Sequence, residues 1–430
     1  MINVILKKQK ANDKLVKQIE LQVRILALAI WYDSNNEEFE AFVGGVYMKL
    51  FHISDLHIGL KLMNHDLTED QKYVHNQIIA YAKKEKPEAI LIAGDVYDKA
   101  IPSAEAVELF DDFLSELHEQ APESEIMIIS GNHDSAPRLD IFRSILSKQR
   151  VHMIGMPPMG EDEHIARVTL KDEYGDVDIY LLPFVRPSMI KAIVGVDENG
   201  NNFSYDESVR RLLAREQIDT SKRNVLVSHQ FYLPAGKTAD DVERMDSEIR
   251  MVGNIDQIKS DVLAVFDYAA LGHIHKPMKV GNEFFRYCGS TLACSISEAG
   301  QQKGVILVEL GAKGDKKTTV LPLEPLHAIR VIKGSFEEVL TQGCEDYVKV
   351  VLTDKIDLDV IDSRENLRNA FPNLLEITRE GAETVRYDQK VFEEEKLDVF
   401  ELCSRFLGDV EEQDSRILQE IIIQLQERGA

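Results

Sequence analysis

Between residue 48 and about residue 321, short and nearly unbroken apolar runs alternate with longer stretches of helical period. The runs at Lys49–Ser54, Ala89–Ala93, Glu125–Ser130, Asp178–Pro183, Asn224–Ser228, Tyr268–Leu271 and Gly304–Leu310 have the length and composition of buried strands. Thr68–Lys84 opens with Thr68 and Gln71 at capping-box spacing. Ser103–Gln120 follows Pro102 and carries Leu109, Phe110, Phe113, Leu114 and Leu117 along one stripe. Strand followed by helix, repeated, predicts an α/β layered domain.

The texture changes at Pro322-Leu323-Glu324-Pro325. Beyond it, Ala328–Lys333, Phe336–Leu340, Tyr347–Thr353, Asp362–Ala370 and Leu374–Arg379 alternate strand and helix in a shorter rhythm, which predicts a small α+β domain. From Gln389 the tail carries amphipathic stretches at Val391–Leu407 and Asp414–Glu427. Their Leu418, Ile421, Ile422, Ile423 and Leu425 are too apolar to leave in water, so a partner surface or a fold-back onto their own domain is expected. Residues 1–47 differ from the rest of the chain: a Lys-rich start, a mixed apolar stretch from Ile19 to Trp31 and an acidic patch at Asn35–Glu40. Gly44-Gly45 stands a few codons before Met48, where a purine-rich ribosome-binding sequence would encode Gly-Gly, so Met48 is expected to be the biological start. An accessory helix at 14–31 is the alternative. The expected organisation is an extension at 1–47, a main domain at 48–322, a small domain at 326–385 and helices at 389–430.

Composition adds three constraints. A chain of 430 residues that is 44% hydrophobic exceeds the size at which one core keeps growing, which agrees with several domains. No apolar run reaches the length of a membrane span, and no secretory signal opens the chain, so a cytoplasmic protein with no membrane partner is expected. Cys288, Cys294, Cys344 and Cys403 show no C-x-x-C pairing and read as reduced packing residues. The net charge of −24 opposes nucleic-acid binding by bulk electrostatics, because phosphates call for a basic surface.

Five motifs then occur in order: Asp55-Leu56-His57, Gly94-Asp95-Val96-Tyr97-Asp98, Gly131-Asn132-His133-Asp134, His229 in Val227-Ser228-His229-Gln230, and Gly272-His273-Ile274-His275. Each stands just past the C-terminal end of a predicted strand, the edge where loops of an open α/β sheet converge on a site. Singly these motifs are weak; jointly, Asp55, His57, Asp95, Asn132, His229, His273 and His275 make a metal-type donor set. Imidazole mixed with carboxylate and amide oxygen suits first-row ions such as manganese, iron or zinc better than magnesium. Two such ions, about 3.5–4 Å apart, clamp a phosphodiester and activate a water. One carboxylate must bridge them, and Asp95 is the natural choice.

The five motifs resemble the calcineurin-like metallophosphoesterase superfamily. Leu182-Pro183-Phe184-Val185-Arg186-Pro187, Asp246-Ser247-Glu248, Arg286-Tyr287-Cys288-Gly289-Ser290, Ser297-Glu298-Ala299 and Lys303-Gly304-Val305 are similar, within it, to the SbcD family of bacterial Mre-type nuclease subunits. The resemblance is strong from Met48 to about Leu310 and loose beyond. It implies a layered α/β sandwich with a small α+β capping domain and C-terminal helices. It also implies a DNA nuclease, acting 3′ to 5′ on double strands and endonucleolytically on hairpins and single strands, in DNA repair, recombination and replication.

By the same resemblance Asp55, His57, Asp95 and His275 bind one divalent ion and Asp95, Asn132, His229 and His273 the other, with manganese the first choice. His133 is then a non-ligand that stabilises the scissile phosphate or protonates the leaving oxygen, Asp134 is expected to orient His133, and Asp98 to support the centre. His52 is expected to pack. The implied partners are an SbcC-like SMC-family ATPase, which shares the DNA contacts, and a second copy of the chain in a heterotetramer. Leu109, Phe113, Leu139 and Phe142 would form the dimer contact, with core packing the alternative for at least two of them, and Arg138, Lys237, Arg250 and Lys276 are candidate DNA contacts, each with an ordinary surface position as the alternative. Two rivals remain. A phosphatase or small-nucleotide phosphodiesterase would share the scaffold, although protein phosphatases show Gly-Asn-His-Glu where this chain has Asp134. A scaffold subunit without catalysis would not need the intact donor set.

Overall fold

The apolar runs form strands, and these pair into two six-stranded sheets stacked face to face. The computed structural model describes residues 47–234, 236–238, 242, 245–248, 256–354 and 361–380, with 415, 417–419 and 422. In chain order the main strands are β1 (Met48–Ile53), β2 (Ala89–Ala93), β3 (Glu125–Ile129), β4 (Val151–Ile154), β5 (Ala166–Asp172), β6 (Gly175–Leu182), β7 (Arg223–His229), β8 (Tyr268–Gly272), β9 (Met278–Val280), β10 (Asn282–Tyr287), β11 (Lys303–Leu310) and β12 (Lys316–Leu323). The first sheet has the order β12-β11-β1-β2-β3-β4, the second β9-β10-β8-β7-β6-β5. Strands β1 to β4 run parallel, as do β6, β7, β8 and β10, so the site motifs leave two parallel arrays at their C-terminal ends.

Period-two alternation explains the layers. On the first sheet Met48, Leu50, Ala89, Leu91, Met127 and Ile129 face the second sheet, whose Ile179, Leu181, Val225, Val227 and Ala270 complete a shared core. Phe51, Ile53, Ile90, Ile92, Ile126 and Ile128 face the other way, against helices α1 (Thr68–Glu85) and α2 (Ala104–Gln120). The outer face of the second sheet packs α3 (Pro187–Val194) and α4 (Tyr205–Arg215). The inner parallel strands carry no polar alternation in sequence because both their faces are buried.

The parallel strands β13 (Ile329–Gly334), β14 (Tyr347–Leu352) and β15 (Leu374–Arg379) form a third sheet with helices α5 (Phe336–Leu340) and α6 (Ile361–Ala370), around Val348, Val350, Leu352, Leu367 and Phe371. Its tie to α1 is Asp70, a buried carboxylate that accepts from the His327 backbone N–H (3.1 Å), His327 Nδ1 (3.0 Å) and the Tyr347 hydroxyl (3.0 Å). The accessory helix at 14–31 and the tail stretch Val391–Leu407 lie outside the described residues, as does most of Asp414–Glu427. No helix among the described residues is long and apolar enough to cross a membrane.

Two expectations fail here. The Thr68/Gln71 capping box does not form: Leu67 caps α1 without a side-chain bond, and Thr68 Oγ1 donates to Asp66 Oδ1 (2.5 Å). Gln71 turns inward, where it donates to the His57 carbonyl (2.8 Å) and accepts from Gly59 N–H (3.1 Å). Leu109, Phe113 and Leu139, expected at a dimer contact, are buried in the core under α1 and α2. The stripe on α2 covers its own sheet, and of the four only Phe142 is exposed.

Removing the Tyr347 hydroxyl takes one donor from a buried carboxylate. Tyr347→Phe is expected to lower the unfolding free energy by about 1–2 kcal/mol in urea titration; an unchanged midpoint would contradict the tie. His75 on α1 is buried, stacked on Phe113 at 4.3 Å, and its Nδ1 has no hydrogen-bond partner. Burial lowers its pKa from 6.5 to about 3. The unfolded chain takes up a proton below pH 6.5 that the folded chain refuses, so this contribution is complete above pH 6.5 and lost as pH falls towards 3. Between pH 7 and 4.5 His75→Leu is expected to lose about 2–3 kcal/mol less stability than the parent chain.

Candidate metal centre

The loops after β1 and β2 extend the parallel ladder beyond the sheet. Asp55 N–H donates to Gly94 O (3.0 Å), His57 N–H to Asp95 O (3.0 Å) and Ile58 N–H to Val96 O (2.9 Å), which sets the first two motifs side by side. Asp55, His57, Asp95 and His273 all have positive φ, between 44° and 104°. Such strain in non-glycine residues gathers where side chains must be aimed rather than packed. The flanking glycines are required by close approach: a Cβ on Gly131 would lie 2.1 Å from Asp95 Oδ1, and one on Gly94 2.3 Å from the His229 ring.

All seven expected donors come together, though from two sheets rather than one edge. Asp55, His57, Asp95 and Asn132 follow strands of the first sheet; His229, His273 and His275 stand at or beyond the ends of β7 and β8 in the second. His57 Nε2 is 3.0 Å from His275 Nε2 and 3.7 Å from Asp95 Oδ2, and His275 Nε2 is 4.0 Å from Asp55 Oδ1. On the other side, His229 Nε2 is 3.0 Å from Asn132 Oδ1 and 3.3 Å from Asp95 Oδ2, while His273 Nδ1 is 2.8 Å from Asn132 Oδ1. Asp95 therefore stands between the two groups.

The ring orientations are fixed from behind. His229 Nδ1 donates to the Ala93 carbonyl (2.7 Å), so its Nε2 lone pair points into the cluster. His275 Nδ1 meets Ser247 Oγ at 2.8 Å. That hydroxyl donates onward to Glu298 Oε1 (2.8 Å), and Glu298 is paired with Lys303 (2.6 Å). Glu248 accepts from the His275 backbone N–H (2.9 Å), and the Ser54 hydroxyl donates to Asp55. Imidazole nitrogens and carboxylate and amide oxygens converging at about 3 Å are held together by shared protons or by a cation, and this mixed donor set is of the kind that fits divalent metal ions.

The donors are also coupled electrostatically. Burial favours a protonated Asp95, but His229 and His133 outweigh it and hold the carboxyl well below its usual range. Burial likewise pushes His229 down, yet Asp95 raises it to about 9. Burial and the facing His275 push His57 well below 6.5. Burial raises Asp55 against the pull of His229 and His275. A cavity of about 340 Å³, lined by His57, Lys61, Asp98, Ser247, His275 and Cys294 among others, opens onto this side of the cluster.

His133 lies against the donors, its ring 4.7 Å from that of His57, and it groups with His57 and Asp98. Its backbone N–H donates to Asp95 Oδ1 (2.9 Å), its Nδ1 donates to the Asp98 carbonyl (2.9 Å), and its Nε2 lies 4.0 Å from Asp95 Oδ2. Asp134 does not hold the His133 ring as expected. Its carboxylate accepts from the N–H groups of Val96 (3.1 Å), Tyr97 (2.9 Å) and Gly131 (2.9 Å), pinning the second motif to the third, and burial beside Asp95 raises its pKa to about 6. Asp98 orients His133 through its main chain. His52 packs as expected, bonded to the Tyr268 hydroxyl (2.8 Å) and kept neutral by burial. Cys288 and Cys294 are buried free thiols and Cys344 is half-buried; Cys403 lies outside the described residues.

The sequence profile of calcineurin-like phosphoesterases matches residues 48–277, more than half of the chain. The chain belongs to that family. Divalent metal ions follow from this membership together with the donor clusters Asp55–His57–His275 and Asp55–Asp95–His229. A second profile, the SbcD_C or type 5 capsule protein repressor C-terminal domain, matches residues 325–408. This phosphoesterase is 28% identical over 338 residues to the SbcD subunit of the nuclease SbcCD from Staphylococcus epidermidis, covering 77% of the chain and 85% of that protein. Among solved structures, TT1561 of Thermus thermophilus (11% identity, 64% of this chain and 99% of that one) aligns at a TM-score of 0.36. A dimetal phosphatase from Danio rerio (12% identity, 64% and 99%) aligns at 0.34.

Ser247, Glu248, Glu298 and Lys303 had no role in the sequence reading beyond family-like text, and Gln71 had only that of a helix cap. Nothing local marks them, because their function is to contact His57 and His275 from distant positions. Ser247→Ala removes the nearer acceptor behind His275, leaving Glu298 Oε1 at 3.4 Å and the Glu298–Lys303 pair intact. Calorimetric manganese titration is expected to show one affinity reduced about tenfold and the other unchanged; two unchanged affinities would contradict this role.

Proposed function

We propose that this phosphoesterase is the manganese-dependent nuclease subunit of a DNA end-processing complex. It acts 3′ to 5′ on duplex ends and endonucleolytically on hairpins and single strands, with an SbcC-like SMC-family ATPase as partner. The observation that carries the reading is the complete donor set, with His133 beside it, in a chain whose two profile matches and 28% identity to an SbcCD nuclease subunit span both of its parts. The remaining assignments belong to the same proposal: a cytoplasmic homodimer within a heterotetramer, and residues 326–385 as a capping domain.

Asp55, His57, Asp95 and His275 would hold one ion and Asp95, Asn132, His229 and His273 the second. When bound, the pair supplies positive charge to the phosphodiester and lowers the pKa of the attacking water. The chain's own residues do the rest. Asp95 faces both groups and bonds the His133 backbone, so the donors and His133 are set by one carboxylate. His133 keeps its Nδ1 proton on the Asp98 carbonyl, which leaves Nε2 as the atom that donates to the scissile phosphate or gives a proton to the leaving 3′ or 5′ oxygen.

With manganese and the ATPase partner, the parent chain is expected to cut hairpin and blunt duplex DNA. His133→Ala should lower turnover about 10²–10⁴-fold while still binding two ions per chain. If the parent cleaves a chromogenic phosphodiester but leaves DNA intact, the small-nucleotide rival is correct. If His133→Ala matches the parent, the assigned role of His133 is wrong.

A further inference from the structure

Most of the arginines among the described residues are already committed. Arg150 pairs with Glu123, Arg210 with Asp261, Arg223 with Asp172 and Arg330 with Asp346. That is expected where 74 acidic residues face 50 lysines and arginines. Arg186 is different. Among the described residues no carboxylate pairs with it, no acceptor meets its guanidinium, and its Nε is buried without a partner.

Its position is defined. The segment Leu182-Pro183-Phe184-Val185-Arg186-Pro187 leaves the C-terminal end of β6, and Phe184 N–H donates to Ser130 O (2.9 Å), two residues before Asn132. The Phe184 ring lies against the imidazoles of the centre, with centroids 6.4 Å from His229 and 6.5 Å from His273, nearly parallel to the latter at 23°. The Arg186 guanidinium rests over the Phe184 ring, 5.6 Å from its centroid. A guanidinium held over an aromatic face can still turn N–H groups to an anion.

The geometry points to Arg186 as a phosphate clamp for the nucleic-acid strand being cut, with Phe184 as its platform; this rests on the nuclease reading above. The phosphate it takes is one flanking the scissile group, because the Phe184 ring, not the guanidinium, lies against the imidazoles. Arg186 thus answers the charge of the chain: a single half-buried arginine beside the site can orient a strand that the overall field repels. Of the candidates named from sequence, Lys276 is half-buried directly after His275 and belongs to the centre itself. Arg138 and Lys237 are exposed surface residues, and Arg250 lies outside the described residues.

The test compares Arg186→Ala and Arg186→Lys with the parent as full-length, manganese-loaded chains. Binding of a fluorescent oligonucleotide is followed by anisotropy across salt concentrations, and hydrolysis of a chromogenic phosphodiester is the control. For Arg186→Ala the expected result is at least tenfold weaker oligonucleotide binding, a salt slope shallower by about 0.7–0.9, and control activity within twofold of the parent. Arg186→Lys should keep the slope and lose only part of the affinity. Unchanged affinity and slope in Arg186→Ala overturn the assignment, as does an equal loss on the small diester, which would place Arg186 in the centre itself. A parent chain that hydrolyses the diester but neither binds nor cuts oligonucleotides overturns the nuclease reading, and this assignment with it.

Discussion

Everything at the site is referred to the Asp95 carboxylate. One oxygen accepts from the His133 main chain, and the other faces His57, His133 and His229 within 4.0 Å. Asp95 holds this place at positive φ, and Gly131 is bare so that the carboxylate fits against it. Two stacked sheets supply the walls. Neither sheet alone holds the full donor set, so the apolar core between them is also what fixes the spacing of the centre.

Behind the donors lies a ring of polar residues that fix imidazole orientation. Ala93 and Ser247 hold His229 and His275, Gln71 holds the main chain at His57, and the Asp98 carbonyl holds His133. These contacts come from the loops after β1 and β2, from α1, and from the segments around Ser247 and Glu298. Asp70 and Gln71 are neighbours on α1; one meets Tyr347 and His327 of the third sheet's segment, and the other meets the loop carrying His57. The C-terminal sheet and the metal loop therefore share a single helical turn.

Much of this was legible in the sequence because it depends on local pattern. Fully apolar runs such as Ala-Ile-Leu-Ile-Ala at Ala89–Ala93 read as strands buried on both faces, and donors placed just past such runs read as a site. What was not legible depends on distant contacts. Strands such as Ala166–Asp172 and Lys316–Leu323 alternate partly exposed positions and have too little apolar character to stand out. The pairing of Thr68 with Gln71 fits a capping box by spacing, yet Gln71 is drawn inward by the carbonyls of Leu56 and His57. The apolar stripe of α2 could have served a second copy equally well, since periodicity does not say which surface it covers. Asp134 follows His133 so closely that orientation of the ring is a natural expectation, but three main-chain N–H groups claim its carboxylate.

The proposed function requires two ions that share Asp95. Anomalous X-ray diffraction from crystals of the full chain soaked in manganese tests it directly. Two peaks about 3.5–4 Å apart are expected, one on each side of the Asp95 carboxylate, with His57 and His275 at one and His229 and His273 at the other. A single peak, or two peaks of which neither touches Asp95, would contradict it.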